Sequence, residues 1–166
     1  MKRLLPLLVA VAVAVAGCGS SSNKSTNTTP TVSTSKSSSP TDLTRKPTIA
    51  KPSGPPPQTL VVKDIVKGSG PVASAGKTVT VQYVGVLYST GQQFDASWDR
   101  GQPLPPFQLG TGQVIPGWDK GLVGMRVGGR RQLIIPPNLA YGAQGSPPAI
   151  GPNETLIFDV DLLKVS

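Results

Sequence analysis

A chain of 166 residues with no histidine and a single cysteine, Cys18, has few ways to make or break a covalent bond. Ser-His-Asp and Cys-His relays need an imidazole, and the commonest zinc sites are built on imidazoles or paired thiolates. None of these can be assembled, and neither can an intramolecular disulfide. Asp95 and Asp99 have the spacing of a paired acid–base site, and Asp159 and Asp161 share one side of an extended segment. Neither pair is accompanied by the groups of a sugar cleft or a metal cage, so turn and surface roles fit Asp99, Asp159 and Asp161. Ala75-Gly76-Lys77-Thr78 ends like a phosphate-binding loop, but Pro71 stands where that motif needs its first glycine. Gly110-Thr111-Gly112 runs on to Gly117 rather than to a glycine three positions later, which excludes a dinucleotide fingerprint. The one dense basic run of this region, Arg126 to Arg131, reads as a solvated hairpin.

Behind these residues stand the elements that must position them. Thr59–Val66 is rich in β-branched and apolar residues. Thr78–Tyr88 places Val79, Val81, Tyr83 and Leu87 on one face at a period of two, which predicts a strand. Gly91 marks a turn before Gln92–Ser97. Further strands are expected over Val127–Ile135 and Thr155–Val165, the latter with Leu156, Phe158, Val160 and Leu162 on one face. The one helical candidate starts at Pro116, a good first-turn residue, and carries Trp118, Leu122 and Met125 before glycines interrupt it. One short helix among antiparallel strands predicts an α+β domain with a single core.

The aromatic residues of this domain fall inside short phrases: Val81-Gln82-Tyr83-Val84-Gly85, Phe94-Asp95-Ala96-Ser97, Val114-Ile115-Pro116-Gly117-Trp118, Ala140-Tyr141-Gly142 and Leu156-Ile157-Phe158-Asp159-Val160. Taken singly, each aromatic fits plain core packing. In this order and spacing, from about residue 59 to the C-terminus, they resemble the FKBP-type peptidyl-prolyl cis–trans isomerases. The resemblance implies a twisted antiparallel sheet wrapped around one short helix, with an apolar pocket between them. It places Tyr83, Asp95, Tyr141 and Phe158 in catalytic roles and Phe94, Phe107, Val114, Ile115 and Trp118 in substrate binding, with Trp118 as the floor. Departures from the family pattern are Leu104 in place of a common aromatic, Leu139 in place of a tyrosine and Ser146 in place of a histidine. The doublet Pro105-Pro106 is one residue longer than usual. These bear on substrate preference and macrolide affinity. The short loop from Ala143 to Asn153 leaves no room for the inserted flap of some bacterial relatives.

The resemblance agrees with elementary chemistry. Rotating a peptide bond costs about 18–20 kcal/mol because amide resonance is lost, and X–Pro exchange takes tens to hundreds of seconds unaided. No bond is broken, so no nucleophile, metal or other cofactor is needed. The twisted amide is less charge-separated than the planar one, and a dry aromatic pocket favours it by differential binding. Expected partners are X–Pro segments of unfolded or exported proteins, and macrolide inhibitors. Two other readings remain open from the residues: a peptide-binding module or holdase without turnover, and an adhesin or structural lipoprotein using the fold as a scaffold.

The N-terminal third differs in kind. Met1-Lys2-Arg3 precedes an apolar run from Leu4 to Ala16, too short to span a bilayer core that needs about 20 residues. It fits the apolar region of a secretory signal. Val15-Ala16-Gly17-Cys18 resembles a bacterial lipobox, which predicts a signal over 1–17, cleavage before Cys18 and lipidation of that cysteine. An ordinary signal peptide with an incidental cysteine, or a short anchor, is the plainer alternative. Residues 18–57 are dominated by Ser, Thr and Pro and predict a disordered tether, ending in a stiff Pro-rich stretch. Deleting residues 19–57 is expected to leave the domain's stability and activity almost unchanged. Residues 58–166 form the isomerase domain. Of the net charge of +8, residues 1–57 carry seven basic residues against Asp42 alone, while residues 58–166 carry nine against seven acidic. The near-neutral domain argues against nucleic-acid binding; the basic tether suits an anionic membrane surface. The sequence thus predicts an exported monomer, lipid-anchored on the outer face of a bacterial membrane.

Overall fold

The computed structural model describes residues 41–166; Cys18, the predicted signal and the tether up to residue 40 lie outside the described residues. The described chain forms β1 (Val61–Val66), β2 (Thr78–Leu87), β3 (Gln93–Ala96), β4 (Phe107–Gln108), α1 (Pro116–Gly121), β5 (Arg130–Ile135) and β6 (Leu156–Val165). All strand pairs are antiparallel and the order is β1-β5-β6-β2-β3, with β4 also on β2. The two longest strands, β2 and β6, are those whose period-two pattern is strongest. They pair from Val79 against Val165 to Leu87 against Leu156. β5 begins at Arg130 rather than at Val127, because Gly128 turns the chain with φ of +81°.

The inner face of the sheet holds the main core. Val79, Val81, Leu133, Ile135, Leu156, Val160 and Leu162 are buried there with Trp118, Leu122 and Met125 from α1 and its C-terminal end. Two glycines of α1 let it lie close to the sheet. A Cβ on Gly117 would stand 2.4 Å from Ile135, and one on Gly121 2.7 Å from Leu133. Arg131 closes the helix: its Nη1 donates to the Gly121 and Val123 carbonyls at 2.8 and 3.1 Å, and its Nε to Asp64 at 2.6 Å. Cationic donors suit a helix C-terminus, where carbonyls lack partners.

The outer face departs from the sequence reading. Residues 41–57 were expected to hang free, yet Ile49 is buried in a second cluster with Val84, Val86, Tyr88, Ala96 and Ile157. Tyr88 donates its hydroxyl to the Pro55 carbonyl at 3.1 Å. The segment's Ser/Thr/Pro composition hides this, since one isoleucine and the buried Pro47 suffice once a flat apolar face awaits them. With that cover in place, the basic run is no solvated hairpin. Arg130 is fully buried, and its Nε and Nη2 clasp Asp161 at 2.5 and 2.6 Å. It also donates to the Asp42 and Arg45 carbonyls at 3.2 and 3.1 Å. Of the run's three arginines, only Arg126 stays exposed. Asp159 and Asp161 are likewise not on a wet face, being 3% and 2% exposed.

Burial pushes the Asp159 carboxyl up from 3.8 to about 6, against the hydrogen bond from Gln132 and the charge of Arg130. The folded state therefore holds this proton more tightly than the unfolded chain does. Stability from this group is fully present below the ordinary aspartate value and is lost as pH rises through about 6. Asp159→Asn keeps an oxygen for Gln132 and removes the buried charge. It is expected to stabilise the protein by about 1–3 kcal/mol above pH 7 and to change little near pH 4. Urea denaturation at the two pH values measures the difference.

Candidate active site

Between α1 and the inner face of the sheet opens a cavity of about 490 Å³, lined by Tyr83, Phe94, Asp95, Leu104, Gln113, Val114, Ile115, Trp118, Tyr141 and Phe158. Each comes from an element whose local structure aims it. Period-two alternation turns Tyr83 inward from β2 and Phe158 inward from β6, while α1 lifts Trp118 to the floor. Loop 110–113 is tied to α1 by the Asp119 carboxylate, which accepts the Gly110 and Gly112 N–H groups at 2.8 and 3.0 Å. This fixes the lip carrying Val114 and Ile115.

The aromatic rings meet edge to face. Trp118 and Phe158 have centroids 5.2 Å apart at 85°, Tyr83 and Trp118 5.1 Å at 82°, and Phe94 and Phe158 5.5 Å at 89°. Such pairs gain beyond simple area burial. Gly85 is what lets two of them close: a Cβ there would stand 2.6 Å from Phe94 and 2.9 Å from Phe158.

One edge of the cavity is polar. The Tyr83 hydroxyl donates to Asp95 Oδ2, Arg100 Nη1 donates to Asp95 Oδ1 at 2.5 Å, and Arg100 Nη2 donates to the Tyr83 oxygen at 3.0 Å. Burial, with the hydrogen bond to Asp95, pushes the Tyr83 phenol up to about 12. Burial and the Asp95 charge push Tyr141 up as well. Both hydroxyls therefore keep their protons at neutral pH. Among the described residues, no acceptor meets the Ile115 N–H. Asp95 and Asp99 do not work as a pair: Asp99 turns away to Lys46 and Gln93.

Of the residues singled out from the sequence, eight line the cavity together. Phe107 is the exception. Its ring is buried in the core, 6.0 Å from that of Trp118 between centroids. Leu104 stands in the lining instead. Arg100 and Gln113 are not marked by the sequence. Arg100 follows Asp95 by five residues across a turn, a spacing that carries no general signal. Cys18 lies outside the described residues. A second recess of about 520 Å³, between Lys51, Pro52, Tyr88 and Glu154, holds none of the predicted residues.

Comparison with known proteins agrees with this arrangement. The family model described as FKBP-type peptidyl-prolyl cis-trans isomerase matches residues 70–163. Another, described as NADH-ubiquinone reductase complex 1 MLRQ subunit, matches residues 2–45, almost wholly outside the described residues. An FK506-binding protein of Streptomyces anulatus is 61% identical over 121 residues, covering 72% of this chain and 97% of the relative. A probable FK506-binding protein of Corynebacterium glutamicum is 49% identical, covering 71% and 97%. Among solved structures, AtFKBP13 superimposes with a TM-score of 0.60 at 40% identity, covering 64% of this chain and 93% of its own. FkpA from Escherichia coli gives 0.58 at 46% identity, covering 64% and 48%. An antiparallel sheet on one short helix, an aromatic cavity between them and a family match across more than half the chain lead to one assignment: the chain belongs to the FKBP-type peptidyl-prolyl cis–trans isomerase family.

Proposed function

We propose that the protein isomerises X–Pro bonds by seating the proline between Phe94, Trp118 and Phe158 while polar groups at one edge hold the twisted amide. The observation that supports this most is the meeting of an edge-to-face aromatic box with the Tyr83–Asp95–Arg100 cluster. The apolar walls strip water from the amide and favour its less charge-separated, twisted form. The Ile115 N–H and the Tyr141 hydroxyl are donors for the substrate's carbonyls, and Asp95, fixed by Tyr83 and Arg100, orients them. Apolar side chains before the proline are preferred, because Val114 and Ile115 reward their burial at about 25 cal/mol per Å². FK506-type macrolides occupy the same cavity, a reading supported by the relatives' names.

Adding the full chain in detergent to an X–Pro peptide tests the activity. Catalysed cis–trans exchange is expected, with Asp95→Leu slower yet folded. No exchange by folded protein leaves a peptide-binding module.

The clients are exported proteins at the cell envelope, where the chain is held as a monomer through lipidated Cys18. This is supported by the lipobox-like Val15–Cys18 behind an apolar run. Cys18→Ser is expected to leave an uncleaved precursor or to release soluble protein. Fractionation and migration identical to wild type would contradict the anchor.

A further inference from the structure

The 3-10 turn Ser97–Arg100 faces two ways. Ser97 is fully buried, and its Oγ accepts the Tyr83 N–H at 2.9 Å. Arg100 donates to Asp95 and to the Tyr83 hydroxyl, with its guanidinium carbon 5.7 Å from the centre of the Tyr83 ring. Of the two residues between them, one packs on the outer-face cluster and the other meets the N-terminal segment. Trp98 packs on the outer-face cluster that Ile49 joins. Asp99 accepts from Lys46 Nζ at 2.5 Å and from Gln93 Nε2 at 2.7 Å. The turn has no side-chain cap, and it ends on Gly101 in the left-handed region. A four-residue 3-10 turn has poor hydrogen-bond geometry of its own. Its place is set by what it touches on either side.

We propose that residues 42–49 are a positioning element of the isomerase site: tied to Asp99 by Lys46 and sharing the outer-face cluster with Trp98, they hold Arg100 against Tyr83, with Ile49 and Lys46 as the positioning residues. The proposal rests on the isomerase reading above. The apolar walls that seat the proline lie apart from the segment, while the Tyr83–Asp95–Arg100 cluster orients the twisted amide. Unseating the segment should therefore lower kcat and leave KM nearly unchanged. An arginine displaced by about 1 Å is enough to be felt in the rate. The site then reaches past the boundary of the family match, into a segment whose composition reads as tether.

The test is a double-mutant cycle on the full chain in detergent, with kcat and KM measured on an X–Pro peptide well below the melting temperature. Ile49→Ala is expected to lower kcat about fivefold with KM within about twofold. Lys46→Met should lower kcat about twofold, and Lys46→Arg should restore it. In an Arg100→Ala background, Ile49→Ala should cause no further loss, since the segment acts through that arginine. Equal losses in both backgrounds, a change in KM alone, or no loss at all would overturn the proposal. If Ile49→Ala does not fold, Lys46→Met carries the same cycle. An inactive wild type would instead overturn the isomerase reading. The Arg100 guanidinium resonances in NMR then still decide the positioning claim, because they report contacts with Asp95 and Tyr83 without turnover. Movement towards free arginine in the Ile49 or Lys46 variant supports it, and unchanged resonances refute it.

Discussion

Asp161→Ala is expected to destabilise the protein by about 3–5 kcal/mol, lowering the melting temperature by at least about 10 °C. Arg130 is fully buried and Asp161 is 2% exposed, and the two face each other directly across β5 and β6. Removing the carboxylate leaves a guanidinium in the interior without its counter-charge, and desolvation of a buried ion is costly. Replacing both residues with leucine and methionine should cost less than the sum of the single changes, because neither member of the pair is then left inside without the other. Starting the chain at residue 58 acts in the same direction. It removes the two carbonyls that accept from Arg130 and bares Val84, Val86 and Ile157. Urea denaturation measures all three; a loss under about 1 kcal/mol for Asp161→Ala would mean that water reaches the pair.

Phe158→Ala should damage stability and activity together. Phe158 is 4% exposed, sits in the main core and touches Tyr83, Phe94 and Trp118 through its ring. Truncating such a ring costs about 3–5 kcal/mol. It also opens the cavity wall to water, so kcat/KM is expected to fall at least about tenfold in the fraction that remains folded. Val160→Ala supplies the contrast: it lies two residues along the same strand in the core but outside the cavity lining, and should lose stability without comparable loss of turnover. Equal effects on turnover would show that Phe158 acts only as core.

What could be read from the sequence follows from the range of the signals. Period-two alternation is local, so β2 and β6 were legible, and with them the inward direction of Tyr83 and Phe158. Pro116 marked the start of α1 for the same reason. The outer face was not legible. The partnership of Arg130 with Asp161, and of Gln132 with Asp159, depends on strand register, which joins residues far apart in the chain. Alternation alone assigned both aspartates to solvent, because it does not reveal that a second layer covers that face. Ile49 looked incidental among serines and prolines. Phe107 moved from cavity wall to core support, in the stretch where the doublet Pro105-Pro106 lengthens the connection by one residue.

The central claim is that rotation of the amide is promoted by a dry aromatic cavity and fixed hydrogen bonds, with no proton changing hands. The pH dependence of kcat/KM for the full chain on an apolar X–Pro peptide tests this most directly. The chain has no histidine, and Tyr83, pushed up to about 12, stays protonated throughout the neutral range. Asp159 titrates near 6 but belongs to the opposite face of β6, behind Phe158. A profile nearly flat between about pH 6 and 8 is therefore predicted. A bell-shaped profile over the same range would reveal an acid and a base at work and would contradict the mechanism.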